Sequence, residues 1–275
     1  MRFYKYHGIG NDFLLFDFLS ARAAGTRRIT PALARALADR HKGIGFDQLL
    51  VLKKSRRADA FMGIMNADGT TAAMCGNGIR AAALFLHRRG PAPGRGHYDI
   101  DTLAGVKRVR VLRGGGAFSV DMGVPRAVPP RTGRVLKACG RSFNYYQCDV
   151  GNDHAVIFVR DPGRVELAVW GPAIETHRLF KRGTNVEFAR VAPGRRMIEA
   201  VVWERGAGVT LGCGTGICAV VVAAAASGRI RLPARVRVRM PGGTLLISWA
   251  GPGKPIIMEG PAVEVFTGEL RVNRG

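Results

Sequence analysis

The chain has 275 residues, 47% of them hydrophobic, and a formal net charge of +22 at pH 7. That apolar content can fill two ordinary cores, yet no apolar run reaches the length of a membrane span, which argues against a membrane partner. Five cysteines without a C-x-x-C pair fit free thiols in a reducing cytoplasm and leave no zinc-ligand spacing. The N-terminal MRFYKYHGIGNDF lacks the apolar core and cleavage site of a secretory leader, so none is expected. Only the charge points to nucleic acid. The arginines, however, are dispersed, with few stacking aromatics among them. In Arg235-Val-Arg-Val-Arg239 and Lys107-Arg-Val-Arg-Val111 they alternate with valine, as on the wet face of a half-buried strand. A nucleic-acid partner is therefore not expected.

Strands are expected over 2–7 and 13–18, flanking the Gly-Ile-Gly-Asn-Asp turn of 8–12. A polar bridge leads to Thr30-Pro31, a capping side chain followed by proline at the first helical position. The helix ALARALADRH follows and stops before Gly43; Gly45-Phe46-Asp47-Gln48 then opens the strand LLVLKK. Asn66-Ala67-Asp68-Gly69 is turn chemistry, and a helix is expected over 79–89. Strands follow at about 98–102, 106–112 and 117–122, and Gly123 to Pro130, with three prolines, marks a crossing between halves. The second half is expected to hold strands at 143–150 and 154–160, a short helix near 164–170 and a strand at 196–203. A helix over 216–227, stopped by Gly228, and strands at 235–240, 244–249 and 255–259 complete it. The tail, 262–272, has strand character and is expected to return to the first sheet. The expected domains are thus 1–122, joined by 263–275, and 123–262.

One stretch is written twice. Cys75-Gly-Asn-Gly and Cys213-Gly-Thr-Gly each follow a polar loop and open a helix of small apolar residues, 213 − 75 = 138 positions apart. Gly45 and Gly183, and Asp47 and Asn185, stand at the same offset, and the Gly-Asn-Asp of 10–12 recurs at 151–153. A shared offset over several segments reads as a duplicated unit. A cysteine at a helix mouth is expected to have a lowered thiol pKa, because free N–H groups and the helix dipole favour the thiolate. The N–H groups of Gly76-Asn77 and Gly214-Thr215 would also cradle a carboxylate. Two such ends on one ligand would put a thiol on each side of an α-carbon, which suits removing a proton from one face and returning it to the other. Cys139, Cys148 and Cys218 read as structural.

No dinucleotide fingerprint or phosphate loop occurs, and no cofactor is expected. Asn11, Gln48, Asn66, Asn152 and Asn185 sit at turns or strand ends, as turn-formers or as ligands. Glu204-Arg205 precedes Cys213 by nine residues, as Asn66 precedes Cys75, and reads either as a surface ion pair or as part of the site. His154 is either a satisfied core histidine or a site group.

With HGIGNDF at 7–13, GFDQLLV at 45–51, NADGTTAAMCGNGIR at 66–80, DTLAG at 101–105 and GNDHAV at 151–156, the chain closely resembles diaminopimelate epimerases. TNVEF at 184–188, ERGAG at 204–208, CGTGICA at 213–219 and PGG at 241–243 extend the resemblance over nearly the whole length. The resemblance implies an α/β (α+β) fold of two pseudo-symmetric domains, each a strand layer wrapped round a central helix, with the substrate in the cleft. It also implies a pyridoxal-independent enzyme of lysine and cell-wall biosynthesis, and a homodimer. By that resemblance Cys75 and Cys213 are the acid–base pair, supported by His154. Gly76, Asn77, Gly214 and Thr215 hold the reacting carboxylate and Glu204 the neighbouring amine. Asn66, Asn152, Asn185 and Arg205 read the far end of the substrate, and Asn11 and Gln48 complete the pocket. The sequence departs from the family at Asp153, usually proline; at Val209, usually an acidic residue, and similarly at Ala72 in the first box; and at Phe266, where a dimer-contact tyrosine is common. A histidine or proline racemase of the same two-cysteine plan is the enzyme alternative.

Overall fold

The computed structural model describes residues 1–19, 29–194 and 196–270. The polar bridge over 20–28 and the end of the expected tail segment, 271–275, lie outside them. The chain divides into two compact units, Met1–Val120 with the segment from Gly260 onward, and Asp121–Glu259.

In the first unit β1 (Arg2–Gly8) and β2 (Asn11–Phe18) form an antiparallel hairpin. The chain crosses through α1 (Pro31–Ala38) to β3 (Gln48–Lys53), parallel to β2, and returns antiparallel in β4 (Ala60–Asn66). The two-residue β5 (Thr71–Ala72) and α2 (Gly76–Arg89) carry it to β6 (His97–Thr102), parallel to β4. Antiparallel β7 (Gly105–Val111) and β8 (Ala117–Gly123) follow.

The second unit begins with β9 (Arg134–Ala138), antiparallel to β10 (Arg141–Asp149). Next come β11 (Asp153–Phe158), α3 (Leu167–Glu175), β12 (Asn185–Val191), β13 (Met197–Glu204), β14 (Gly208–Thr210) and α4 (Gly214–Ala226). The unit ends with β15 (Ala234–Met240), β16 (Gly243–Trp249) and β17 (Ile256–Pro261). From β10 through β17 the pairings repeat those of the first unit in the same order: antiparallel, parallel, antiparallel, parallel, antiparallel, antiparallel. The final β18 (Val263–Glu269) pairs antiparallel with β1, as β9 does with β10. Duplication is therefore visible in topology as well as in sequence.

Each unit packs helices on both faces of its strands, with α2 or α4 as the buried one. Ala81–Leu86 and Ile217–Ala224 are almost wholly buried, because strands close round each apolar helix from several sides. On the other face Leu14, Phe16, Leu49 and Val51 meet Ala34 and Leu37 of α1. Ala155, Ile157, Val186 and Phe188 meet Ile174 of α3. The arginines of β15 behave as their alternation requires: Arg235, Arg237 and Arg239 are exposed, while Val236 and Val238 are buried. Several are paired with acids, Arg239 with Glu199 and Arg235 with Glu259.

Some expected elements shift for identifiable reasons. Helix α1 ends at Ala38, because the Asp39 carboxylate accepts from the N–H groups of His41 and Lys42 and turns the chain. Helices α2 and α4 start two or three residues earlier than expected, each cysteine serving as the cap. The helix expected near 164–170 lies at 167–175, running through Gly171 and Pro172. A Cβ at Gly171 would stand 2.6 Å from Trp203, so tertiary packing carries the helix past weak local propensity. Among the described residues no helix is long and apolar enough to cross a membrane.

A partly buried ion network ties the first hairpin to the β3 entry. Lys5 Nζ lies 2.6 Å from Asp12, and Arg40 bridges Asp12 and Asp47 at 2.8 Å each. Burial alone would raise the Asp12 carboxyl, but hydrogen bonds from Arg40 and Lys5 outweigh it and hold it at about 2. A depressed carboxyl contributes stability above its unfolded pKa and loses it as pH falls through the folded one, here between about 4 and 2. Asp12→Asn should therefore melt below wild type at about pH 5, with the gap closing as both are acidified past about pH 2. A gap of constant size across that range would contradict the assignment.

Candidate active site

Each unit presents a cysteine at the start of its buried helix. In the first, Cys75 is extended (φ −139°, ψ 118°), and its Sγ accepts the N–H of Gly78 at 3.3 Å. This is the N-cap geometry that serine or aspartate usually provides, here with sulfur as the acceptor. Cys75 Sγ also lies 3.9 Å from Asn11 Oδ1, which accepts from Asn77 Nδ2 at 3.4 Å. Asn11 turns its oxygen this way because its Nδ2 donates to Asp47 Oδ2 at 2.8 Å. Gly45, at φ +74°, makes the turn that delivers Asp47, and Gly183 repeats it at φ +71° in the second unit. Gly76 and Asn77 are buried. Arg80, fully buried one turn on, holds them by donating to Gly76 O at 3.1 Å and Asn77 Oδ1 at 2.9 Å, and it also reaches Pro261 O. Gln48 Nε2 donates to Asn66 Oδ1 at 2.9 Å, while Gln48 Oε1 is buried without a hydrogen-bond partner. Asn66 Nδ2 donates to Thr70.

In the second unit Cys213 Sγ accepts from Gly216 N at 3.4 Å and lies 3.4 Å from Thr215 Oγ1. Glu204 accepts a hydrogen bond from Thr210 and interacts electrostatically with Cys213, so its carboxylate turns inward rather than pairing with Arg205. The Arg205 guanidinium donates to Arg182 O at 3.1 Å, and its backbone N–H to Asn185 Oδ1 at 3.0 Å. Asn185 Nδ2 in turn donates to Asp153 O. Asn185 thereby links the two loops that carry Arg205 and Asn152. His154 is fully buried, with Nδ1 2.7 Å from Glu187 Oε1 and Nε2 2.9 Å from Asn152 Oδ1. Phe266 lies apart from these groups, half-exposed on β18 and edge-on to Phe3. No group of three or more His, Cys, Asp or Glu side chains among the described residues is placed to hold a metal ion.

The second thiol departs from the expectation of a lowered pKa. Burial pushes Cys213 well above the ordinary thiol range, the negative charges of Glu204 and Glu187 push it further, and hydrogen bonds from Thr215 and Gly216 offset only part of this. The helix dipole loses to desolvation. Burial likewise raises the Glu204 carboxyl, against a hydrogen bond from Thr210 and the neighbouring Cys213 thiol. Cys213 should therefore alkylate slowly with iodoacetamide at neutral pH and faster as the solution turns alkaline. Labelling that is fast and pH-independent near neutrality, read by peptide mapping, would contradict a protonated resting thiol.

Sequence reading passed over Asp47, Arg80 and Glu187 as site groups. All three lie within motifs quoted above, and only their contacts separate them from ordinary turn and surface residues.

A family model described as diaminopimelate epimerase matches residues 3–128 and 146–265. A protein named diaminopimelate epimerase from Carboxydothermus hydrogenoformans is 42% identical over 281 residues, covering 98% of this chain and 99% of that one. Another, from Stutzerimonas stutzeri, is 39% identical over 283 residues, covering 99% of each. Among solved structures, a probable proline racemase from Agrobacterium radiobacter with bound carbonate superposes with a TM-score of 0.75 at 16% identity, covering 99% of this chain and 93% of that one. A hydroxyproline epimerase from Agrobacterium vitis gives 0.72 at 17% identity, covering 98% and 91%. These two likenesses establish a shared fold. With the full-length relatives near 40% identity and both cysteine-capped helices in place, the chain belongs to the diaminopimelate epimerase family.

Proposed function

We propose that this enzyme interconverts LL- and meso-diaminopimelate without a cofactor, moving a proton at one α-carbon between Cys75 and Cys213. The observation that carries this reading is the matched pair of cysteine caps, each with its sulfur at the N-terminus of a buried helix. A thiolate on one side takes the α-proton, and the C–H electron pair stays on carbon as a carbanion next to the carboxylate. The thiol on the other side gives its proton to the opposite face, so one thiolate and one thiol are present before and after. The burial that keeps Cys213 protonated fits it to the donor's part from the resting state.

The N–H groups at the two helix starts, Gly76-Asn77 and Gly214-Thr215, are suited to holding the reacting carboxylate and the negative charge that develops beside it. Glu204, held by Thr210 and within electrostatic reach of Cys213, is suited to take the α-ammonium. Asn66, Asn152, Asn185 and Arg205 serve the distal amino acid, with Asn11 and Gln48 completing the pocket and His154 supporting the thiol chemistry. The reaction belongs to lysine and peptidoglycan precursor biosynthesis in the cytoplasm. Val263, Val265 and Phe266 expose an apolar strip on β18, which we assign to a homodimer contact. The test is to give metal-free, cofactor-free protein LL-diaminopimelate and follow the meso isomer by chiral chromatography. Conversion supports the reading. No conversion, with turnover of proline or histidine instead, would overturn it.

A further inference from the structure

The two cysteine helices start over different floors. A Cβ added at Gly78 would stand 3.2 Å from Leu50 Cδ2 and 3.4 Å from Phe13 Cε1, so the floor beneath Cys75 is apolar. A Cβ added at the matching Gly216 would stand 2.6 Å from Glu187 Oε1. The strand register makes the comparison residue by residue. Phe13 faces Gln48 across the parallel β2–β3 ladder, with Leu50 two positions on. His154 faces Asn185 across β11–β12, with Glu187 two positions on. The second half thus puts His154 and Glu187 where the first half has Phe13 and Leu50. All four are fully buried, so the frame accepts an apolar pair at these positions.

An ionisable pair is an expensive choice there. Burying such a pair costs several kcal/mol per ion before its mutual attraction is counted, and apolar replacements of similar volume are often neutral or stabilising. Glu187 moreover keeps Oε2 without a hydrogen-bond partner. Packing alone would be served by the pair already present in the first half.

We propose that Glu187 is a positioning residue of the epimerase reaction: it takes the Nδ1–H of His154 and fixes that ring against Asn152, beneath the Cys213 helix start. The proposal rests on the epimerase reading. Through Nδ1 the carboxylate sets the ring orientation, and through Nε2 the ring holds the Asn152 amide, so one buried group arranges two site residues. Its charge is also one of those that disfavour the Cys213 thiolate.

The experiment compares wild type with Glu187→Gln, Glu187→Asp and the double variant His154→Phe/Glu187→Leu, which installs the first half's pair. Thermal melting, kcat and KM for LL-diaminopimelate, and the His154 ring N–H proton resonance are measured for each. Glu187→Gln should lower kcat by roughly 10- to 100-fold, the range seen when an orienting hydrogen-bond partner is lost, with KM changed less than about threefold. Its strongly downfield ring N–H signal should disappear, and Glu187→Asp should recover part of both. The double variant should melt at or above wild type and still be slow. A folded Glu187→Gln with wild-type kcat, or one that keeps the downfield signal, overturns the proposal, as does a double variant with full activity. If wild type itself fails to convert LL-diaminopimelate, the functional reading falls, while the ring signal still decides whether Glu187 holds His154.

Discussion

Cys75→Ser and Cys213→Ser should each lower kcat/KM for LL-diaminopimelate by more than the roughly 10²–10⁴ that loss of one general acid–base group costs. On the proposed mechanism each sulfur is needed in every turnover, one as base and the other as acid, and a serine hydroxyl is far too weak an acid for either part. The fold should be spared. Serine is among the preferred N-cap residues, and its oxygen can accept the Gly78 or Gly216 N–H that the sulfur now accepts. Melting temperatures near wild type with activity lost would therefore locate the defect in chemistry. A single variant that keeps near wild-type kcat would remove that cysteine from the mechanism.

The second large effect concerns the far end of the substrate. Diaminopimelate carries an amino acid at each end, and the end away from the thiols needs its own recognition. Lysine has the distal amine but no distal carboxylate. A site built to hydrogen-bond a missing group rejects the analogue by about 10⁴–10⁵ in documented cases, because its polar atoms are left unpaired. Arg205 suits a carboxylate, since its planar fork can donate two parallel hydrogen bonds. It is also pre-positioned, with its backbone tied to Asn185 and its guanidinium to Arg182 O. Lysine should therefore be turned over at least about 10⁴-fold less efficiently than LL-diaminopimelate. Arg205→Lys should erode that ratio while leaving the alkylation rate of each cysteine as in wild type. An unchanged ratio in Arg205→Lys would take the distal carboxylate away from this residue.

The two cysteine helices were legible because a helix start is a local event: Cys-Gly-x-Gly supplies the cap, the close approach and the turn within four residues. The duplicated topology followed from the same offset. Strand β12 was missed although Asn185-Val-Glu-Phe alternates polar and apolar residues; every residue from Asn185 to Ala189 is buried, so that alternation marks no wet face. Strand β4 was hidden by Gly63, and β5 and β14 are too short to leave a pattern. Glu187 escaped for a related reason: between Val186 and Phe188, a glutamate reads as the wet position of an alternating strand. In the fold that face lies under α4, so the residue is buried and its charge matters. The raised Cys213 thiol was equally out of reach. Local sequence announces the helix dipole, but desolvation depends on which strands close over the helix. Asp47 orients Asn11 from 36 positions away, a contact that no spacing rule delivers.

The central claim is that two thiols serve opposite faces of one carbon, and isotope incorporation in a single turnover tests it most directly. Enzyme in excess over LL-diaminopimelate is mixed in deuterated water, and the meso product is analysed by mass spectrometry and proton NMR. With two carriers the proton delivered comes from the thiol that did not receive the substrate's hydrogen, and that thiol has exchanged with solvent. The product should then carry deuterium at the inverted α-carbon. Meso product that keeps the substrate's own hydrogen there would mean that a single group removes and returns it, and the two-thiol account would be wrong.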